Sequence, residues 1–361
     1  MRSLFSMPPF APGLPTVAGL VTPGPRASPI MVGNAKGGPM AERTFRQETY
    51  NNKRYSVPAI DADEGCLHIT PRERGGLSLP GDSPLLADLN GVFDIERFLI
   101  PRRPLNLGVL STAEQGLFMA PSAARNVLDL PIKFPGSDFR LPMEYAQWAP
   151  VVQRVADAEW ALNRRCYDEY YCYFTLRREH VLQGEQGHYA PCHVDGFQGA
   201  RFQPKVRANH SYTLTNALPT MYFPQPFDLR PLDLAKHDAF WEMNRQVALT
   251  QSAHGWNDYP DFALMLMDAY CVHIAIDAPR DVERVWLRLS FEVRVFDRLG
   301  NGHNPFFRYD WPMVPRDIEQ LGLVPFEPDC EASLRVFPWQ ALDGSRNPAG
   351  VYTKPRLRPH G

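Results

Sequence analysis

The cleanest hydrophobic periodicity in this chain runs from Val285 to Phe296. Its odd positions, Val285, Leu287, Leu289, Phe291, Val293 and Val295, are all apolar, and its even positions are Trp286, Arg288, Ser290, Glu292, Arg294 and Phe296. A side-chain period of two sends these sets to opposite faces of a strand. The apolar set belongs against helices or a second sheet. The other set puts two arginines, a serine and a glutamate between aromatic residues. That mixture suits a cavity lining better than a water-facing surface, and its arginines call for an anionic ligand.

Weaker patterns surround this strand. Glu169–Leu176 and Leu264–Ile276 read as strands, and His210–Phe223 reads as strand, Asn-containing turn, strand. Helical spacing of Val151, Val155, Ala158 and Leu162, with Pro150 at the first turn, predicts a helix over 150–166. A second helix is expected near 233–253, with Phe240, Met243 and Val247 on one face, and Ser83–Ile100 is expected to be partly helical. The fold class is therefore α+β and β-rich, with a core over 146–300 that carries a helical insertion. Residues 40–145 form an N-terminal elaboration packed on that core, and 301–361 wrap it and end in a tail.

Composition adds boundaries. The chain has 361 residues, enough for one large domain or two small ones, and its 36 prolines favour loops and short strands. Residues 1–39 hold eight prolines, six glycines and three charges, all basic. Such a segment buries too little surface to offset its ordering entropy, so it is expected to be disordered, and translation from Met40 is an alternative. A formal charge of −2 argues against nucleic acid or anionic membrane as partner. Six sparse cysteines without a C-x-x-C pair, and no apolar run of ~20 residues, point to a cytoplasmic protein.

The candidate chemistry lies in "HYAPCHVDGFQGAR", His188–Arg201, where His193 and Asp195 form a His-x-Asp. Ten histidines and forty acids in 361 positions make about one such match by chance, so the motif alone decides nothing. Downstream, His273 lies in strand-like sequence, and Arg288-x-Ser290 follows on the alternating strand. Two imidazoles and a carboxylate on one face of a metal make the open site of non-haem Fe(II) oxygenases.

These residues resemble the Fe(II)/2-oxoglutarate-dependent dioxygenases, whose pattern is H-x-[DE], a distal His, then an Arg (often Arg-x-Ser) ten to twenty residues on. The resemblance covers roughly 170–297 and implies a double-stranded β-helix, or jelly-roll, core. It implies that His193, Asp195 and His273 bind Fe(II), that Arg288 pairs with the distal carboxylate of 2-oxoglutarate, and that Ser290 assists. Arg294 matches the second arginine of the alkylation-repair branch, which also contacts the cosubstrate, although two of that strand's four positions differ here. Phe197, Gln198 and Arg201 follow the metal motif directly and are the candidates for substrate contact. His188 and Cys192 stay as wall residues, since thiolate ligands suit an O2-activating iron poorly.

The resemblance implies a hydroxylase for a small molecule, releasing succinate and CO2. A nucleic-acid demodifying oxygenase and a cupin-like jelly-roll binding protein without redox chemistry are the alternatives. No catalytic residue is expected beyond the metal site, and the oligomeric state is left open.

Overall fold

In the computed structural model, residues 45–50, 53–58, 65–72, 83–186, 192–195, 206–250, 255–315, 323 and 326 are described. All of them belong to one unit, Thr44–Gly361. In chain order the strands are β1 Phe45–Tyr50, β2 Lys53–Pro58, β3 Cys66–Ile69, β4 Leu105–Val109, β5 Val127–Lys133 and β6 Phe139–Pro142. They continue with β7 Tyr171–Val181, β8 His210–Thr215, β9 Met221–Tyr222, β10 Ala263–Asp268, β11 His273–Ile274 and β12 Val282–Glu292. The α-helices are α1 Pro84–Asp88, α2 Thr112–Met119, α3 Ala149–Leu162, α4 Arg164–Glu169 and α5 Ala239–Leu249.

One antiparallel sheet dominates, with strand order β4-β10-β8-β12-β7-β5. Strands β3 and β6 pair separately, as do β1 and β2. A short second layer is built from the β9–β11 pair, extended by single bridges His193↔His273 and Tyr222↔Trp256. The architecture is thus α+β, with few helices around a large sheet. Two of its six strands, β4 and β5, come from residues 40–145, the stretch that the sequence sets apart from the core.

The alternation of β12 explains the layering. Val285, Leu287, Leu289 and Phe291 are buried in one apolar cluster with Val151, Val152, Val155 and Ala156 of α3. The opposite face of β12 carries Arg284, Trp286 and Arg288. Its register puts Arg288 beside Thr175 of β7 and Thr213 of β8, and Trp286 beside Arg177 and Thr215.

Several elements differ from their sequence-based boundaries, each for a local reason. The helix expected over 150–166 breaks at Asn163, whose side chain accepts from the Cys166 N–H at 3.2 Å and starts α4. The helix expected near 233–253 begins at Ala239, where Asp238 caps it by accepting from the N–H groups of Phe240 and Trp241. The His210–Phe223 hairpin does not form. Asn216 instead bonds across to β12, accepting from Val285 N at 2.6 Å and donating to Glu283 O at 2.8 Å, so β8 and β9 go to different layers.

Leu264–Ile276 also splits. Asp268 accepts from the N–H of Tyr270 at 3.0 Å, a turn that carries the chain from β10 across to β11. Finally, β12 starts at Val282 and stops at Glu292, so Arg294 and Phe296 fall beyond the strand. Phe296 stacks on Tyr173 with ring centroids 4.1 Å apart.

Residues 301–315 lie against β5 and β6. Asn304 donates to the carbonyls of Pro131 and Arg140, and Phe307 stacks on Phe134 at 4.3 Å. Residues 1–39 and 327–361 lie outside the described residues. Among the described residues no helix is long and apolar enough to cross a membrane.

Candidate metal centre

The crossing at Asp268–Tyr270 brings His273 opposite His193. Their backbones exchange two N–H···O bonds, each 2.9 Å, and their ring centroids lie 4.5 Å apart. Asp195 Oδ1 is 4.0 Å from His193 Nε2 and 3.9 Å from His273 Nε2. One ligand atom from each of the three residues falls within 4.8 Å of the other two, close enough to share a single ion. Residues eighty positions apart in sequence are thus gathered by two strand fragments of the short layer.

Several contacts fix these side chains. Asn244 of α5 clamps the Cys192 peptide, its Oδ1 accepting from Cys192 N at 3.1 Å and its Nδ2 donating to Cys192 O at 2.9 Å. Phe240, also on α5, packs its ring 5.7 Å from that of His193. The α5 insertion therefore supports the first histidine. Asn209 donates to the Asp195 carbonyl at 3.1 Å. His273 Nδ1 lies 2.9 Å from the Cys271 carbonyl, which can only accept, so Nδ1 donates there and Nε2 is the ring nitrogen that faces Asp195.

The three residues open onto a cavity of about 250 Å³ between the short layer and the large sheet. On the same measure a single water needs only roughly 10–15 Å³, so the space holds a small organic ligand. The sheet contributes Asp129, Arg177, Thr213, Arg284, Trp286 and Arg288 to its lining.

Arg288 reaches the His193–Asp195–His273 cluster itself. Its Nη1 is 2.8 Å from Asp195 Oδ1 and its Nη2 is 3.0 Å from Asp129 Oδ1. Burial alone would raise the Asp195 carboxyl, but Arg288 and the two imidazoles outweigh it and hold that group well below the usual carboxylate range. Burial likewise disfavours the Arg288 cation, and the two carboxylates reverse this, raising it above its ordinary value. Asp195 Oδ2 is buried with no hydrogen-bond partner, an acceptor waiting for a cation or a donor.

The remaining expected residues are distributed as follows. Ser290 is buried on the same face of β12 as Arg288, its hydroxyl accepting from Ser211 at 3.0 Å, and it does not reach the cavity lining. Arg294 lies past the strand end with its Nε 3.7 Å from Glu292 Oε1, also away from the lining. Cys192 is buried in an apolar cluster, and desolvation pushes its thiol far up, a poor state for a ligand. Phe197, Gln198, Arg201 and His188 lie outside the described residues.

Sequence reasoning missed Asp129, Arg177 and Arg284. Arg284 was within reach, because it continues the even positions of the alternating strand two residues before Trp286. Asp129 carried no such signal, since β5 reads VLDLPIK, with a proline and no clean alternation.

A second metal-capable cluster, Glu159, Cys166 and His210, lies on the α3 side of the sheet. There His210 Nε2 is 2.9 and 3.0 Å from the two Glu159 oxygens, and the Tyr212 hydroxyl donates to Glu159 at 2.6 Å. Glu159 is fully buried and both its oxygens already have donors, whereas His210 Nδ1 is buried without a hydrogen-bond partner.

No family model matches this chain, and no curated protein sequence matches it. Among solved structures, AviO1 from Streptomyces viridochromogenes Tue57 is similar over 59% of this chain and 96% of its own, at 13% identity and a TM-score of 0.33. A likeness of that size carries no inference about fold or activity.

Proposed function

We propose that this protein is an Fe(II)- and 2-oxoglutarate-dependent oxygenase that hydroxylates a small molecule. The observation that carries the reading is the convergence of His193, Asp195 and His273 in one cavity that Arg288 also lines. Two imidazoles and one carboxylate are the donor set that suits non-haem Fe(II) and leaves positions open for other ligands. The orphaned Asp195 Oδ2 and His273 Nε2, 3.9 Å from Asp195 Oδ1, fit that ion. In the same reading, the large sheet and the short layer are the two sheets of a double-stranded β-helix, and the chain is a member of the superfamily it resembles.

When bound, Fe(II) with 2-oxoglutarate supplies the oxidant, one oxygen atom of O2 going to the substrate and the other to succinate as CO2 leaves. The chain's own residues do the rest. His193 and His273 offer nitrogen donors fixed by the paired backbone and the Cys271 carbonyl. Arg288 supplies the cation that a carboxylate of 2-oxoglutarate would take in exchange for Asp195 or Asp129. Trp286, with the guanidinium carbons of Arg288 and Arg284 5.5 and 6.0 Å from its ring, forms a wall that excludes water beside the reacting space. A cavity of about 250 Å³ and a formal charge of −2 favour a small molecule over nucleic acid as substrate.

Anaerobic titration with Fe(II) and then 2-oxoglutarate tests this. Wild type is expected to develop the weak visible charge-transfer band of the chelate, and His193→Ala is expected to lose it. No band in wild type, or an unchanged band in His193→Ala, would refute the proposal. Tight zinc binding with no such band would favour the jelly-roll binding protein instead.

A further inference from the structure

Asp129 sits in β5 with φ +48°, in the left-handed region that side chains other than Gly, Asn and Asp avoid. The register between β5 and β7 slips there, between Val127 and Leu130. Such a conformation in a strand persists only where the surroundings over-determine it, and it clusters at functional sites. Here the determinants are visible. The Asp129 N–H donates to Thr175 Oγ1 at 3.0 Å, and the Thr175 hydroxyl donates back to Asp129 Oδ1 at 3.1 Å. That same oxygen accepts from Arg288 Nη2 at 3.0 Å, while Arg288 Nη1 donates to Asp195 at 2.8 Å. Asp129 is buried, at 6% exposure, so these are close interactions in a poorly screened site.

The chain Thr175–Asp129–Arg288–Asp195 ends on a metal ligand. Were Arg288 to face Asp195 alone, its whole charge would compete with an incoming divalent cation for that carboxylate. A second carboxylate shares the guanidinium and weakens the competition. We propose that Asp129 is a positioning residue for the metal centre, holding one edge of Arg288 so that Asp195 stays turned toward His193 and His273 and open to a cation. This rests on the metal-site reading above. It carries a signature that a merely structural role lacks. Loss of the Asp129 charge weakens cation binding, because the charge of Arg288, already 2.8 Å from Asp195, is then shared with no second carboxylate and competes more strongly with the ion. The same loss strengthens 2-oxoglutarate binding, because Asp129 no longer competes with the cosubstrate for Arg288.

The test uses Asp129→Asn, which keeps the shape and tolerates the left-handed backbone. Co(II) is titrated into wild type, Asp129→Asn and His193→Ala, following the visible absorption of the bound ion, and 2-oxoglutarate is then titrated into the Co(II)-loaded forms. The expected result is roughly tenfold weaker Co(II) binding in Asp129→Asn, the usual size for the partner of a metal ligand, with tighter 2-oxoglutarate binding. Thr175→Val, which removes only the hydroxyl that seats Asp129, should move both affinities the same way by less, and it decides the matter if Asp129→Asn does not fold. Equal Co(II) affinity in wild type and both variants overturns the proposal. So does a joint fall of both affinities with the melting temperature, the mark of a strand stitched by Asp129 and nothing more. Failure of wild type to bind Co(II), or binding undiminished in His193→Ala, overturns the metal-site reading itself and this proposal with it.

Discussion

Strand β8 belongs to a sheet with one metal-capable cluster on each side. His210 and Tyr212 point toward α3, where they meet Glu159 and Cys166, whereas Ser211 and Thr213 lie on the other face, where Thr213 lines the cavity that holds His193, Asp195 and His273. Each cluster offers imidazole and carboxylate donors within range of one ion. They differ in what surrounds the donors. On the α3 side Glu159 already accepts from His210 and Tyr212, His210 stacks on Phe291 at 5.0 Å, and all three members of the cluster are buried. On the cavity side the donors face about 250 Å³ of open volume, and one carboxylate oxygen has no partner. A donor set becomes a site only where a ligand can reach it. Donors enclosed on every side serve the core instead.

The largest expected contrast follows from exchanging losses between the two clusters. Asp195→Ala should reduce Co(II) affinity by about a hundredfold or more, because it removes one of three donors that face the cavity. Glu159→Ala should leave Co(II) stoichiometry at wild-type level and cost about 3 kcal/mol or more in denaturant unfolding, because it strands buried His210 and Tyr212 donors. Metal loss in the second variant would erase the distinction between the clusters.

A smaller effect separates the faces through Arg288. Arg288→Met is expected to weaken 2-oxoglutarate binding by roughly ten- to a hundredfold, the equivalent of about 1.5–3 kcal/mol for charge-assisted hydrogen bonds. Isothermal titration of the metal-loaded protein reads it, and Glu159→Ala serves as the control that should not move it.

The smallest prediction concerns Lys133, which lies on the closed side beside Tyr167, its Nζ donating to the carbonyls of Phe134 and Tyr170. Burial lowers its ammonium to about 8 from an ordinary 10.5. The folded state therefore holds this proton less tightly than the unfolded chain. Its cost is fully present below about pH 8 and is relieved as pH rises toward 10.5. Wild type should gain on Lys133→Met by roughly 1–3 kcal/mol over that interval, measured by urea unfolding at both ends. A pH-independent difference would mean that Lys133 is as well solvated as a surface lysine.

The comparison also shows what could be read from the chain in advance. His193, Asp195, His273 and Arg288 were legible because each lies on short-range pattern: a His-x-Asp, a strand-like run, and an alternation whose polar face needed a purpose. The α3 helix and β12 were legible for the same reason, since local periodicity reports one buried face. Asp129 was not legible, because its role depends on a register slip and a left-handed residue that sequence spacing does not encode. The pairing of β9 with β11 was hidden too. "HSYTLTNALPTMYF" has the local form of a hairpin, and only the bonds from Asn216 to β12 send its second half to another layer.

By itself, then, the sequence determined which residue types were available and which face of each strong element was apolar, because side-chain alternation is a property of the local backbone. Tertiary structure decided which of those polar residues met one another in the core and which met around a cavity. It placed Glu159 and His210 in contact with each other, and it left His193, Asp195 and His273 around an open space. That outcome depends on strand pairing between segments eighty or more residues apart, and no local pattern fixes such distances.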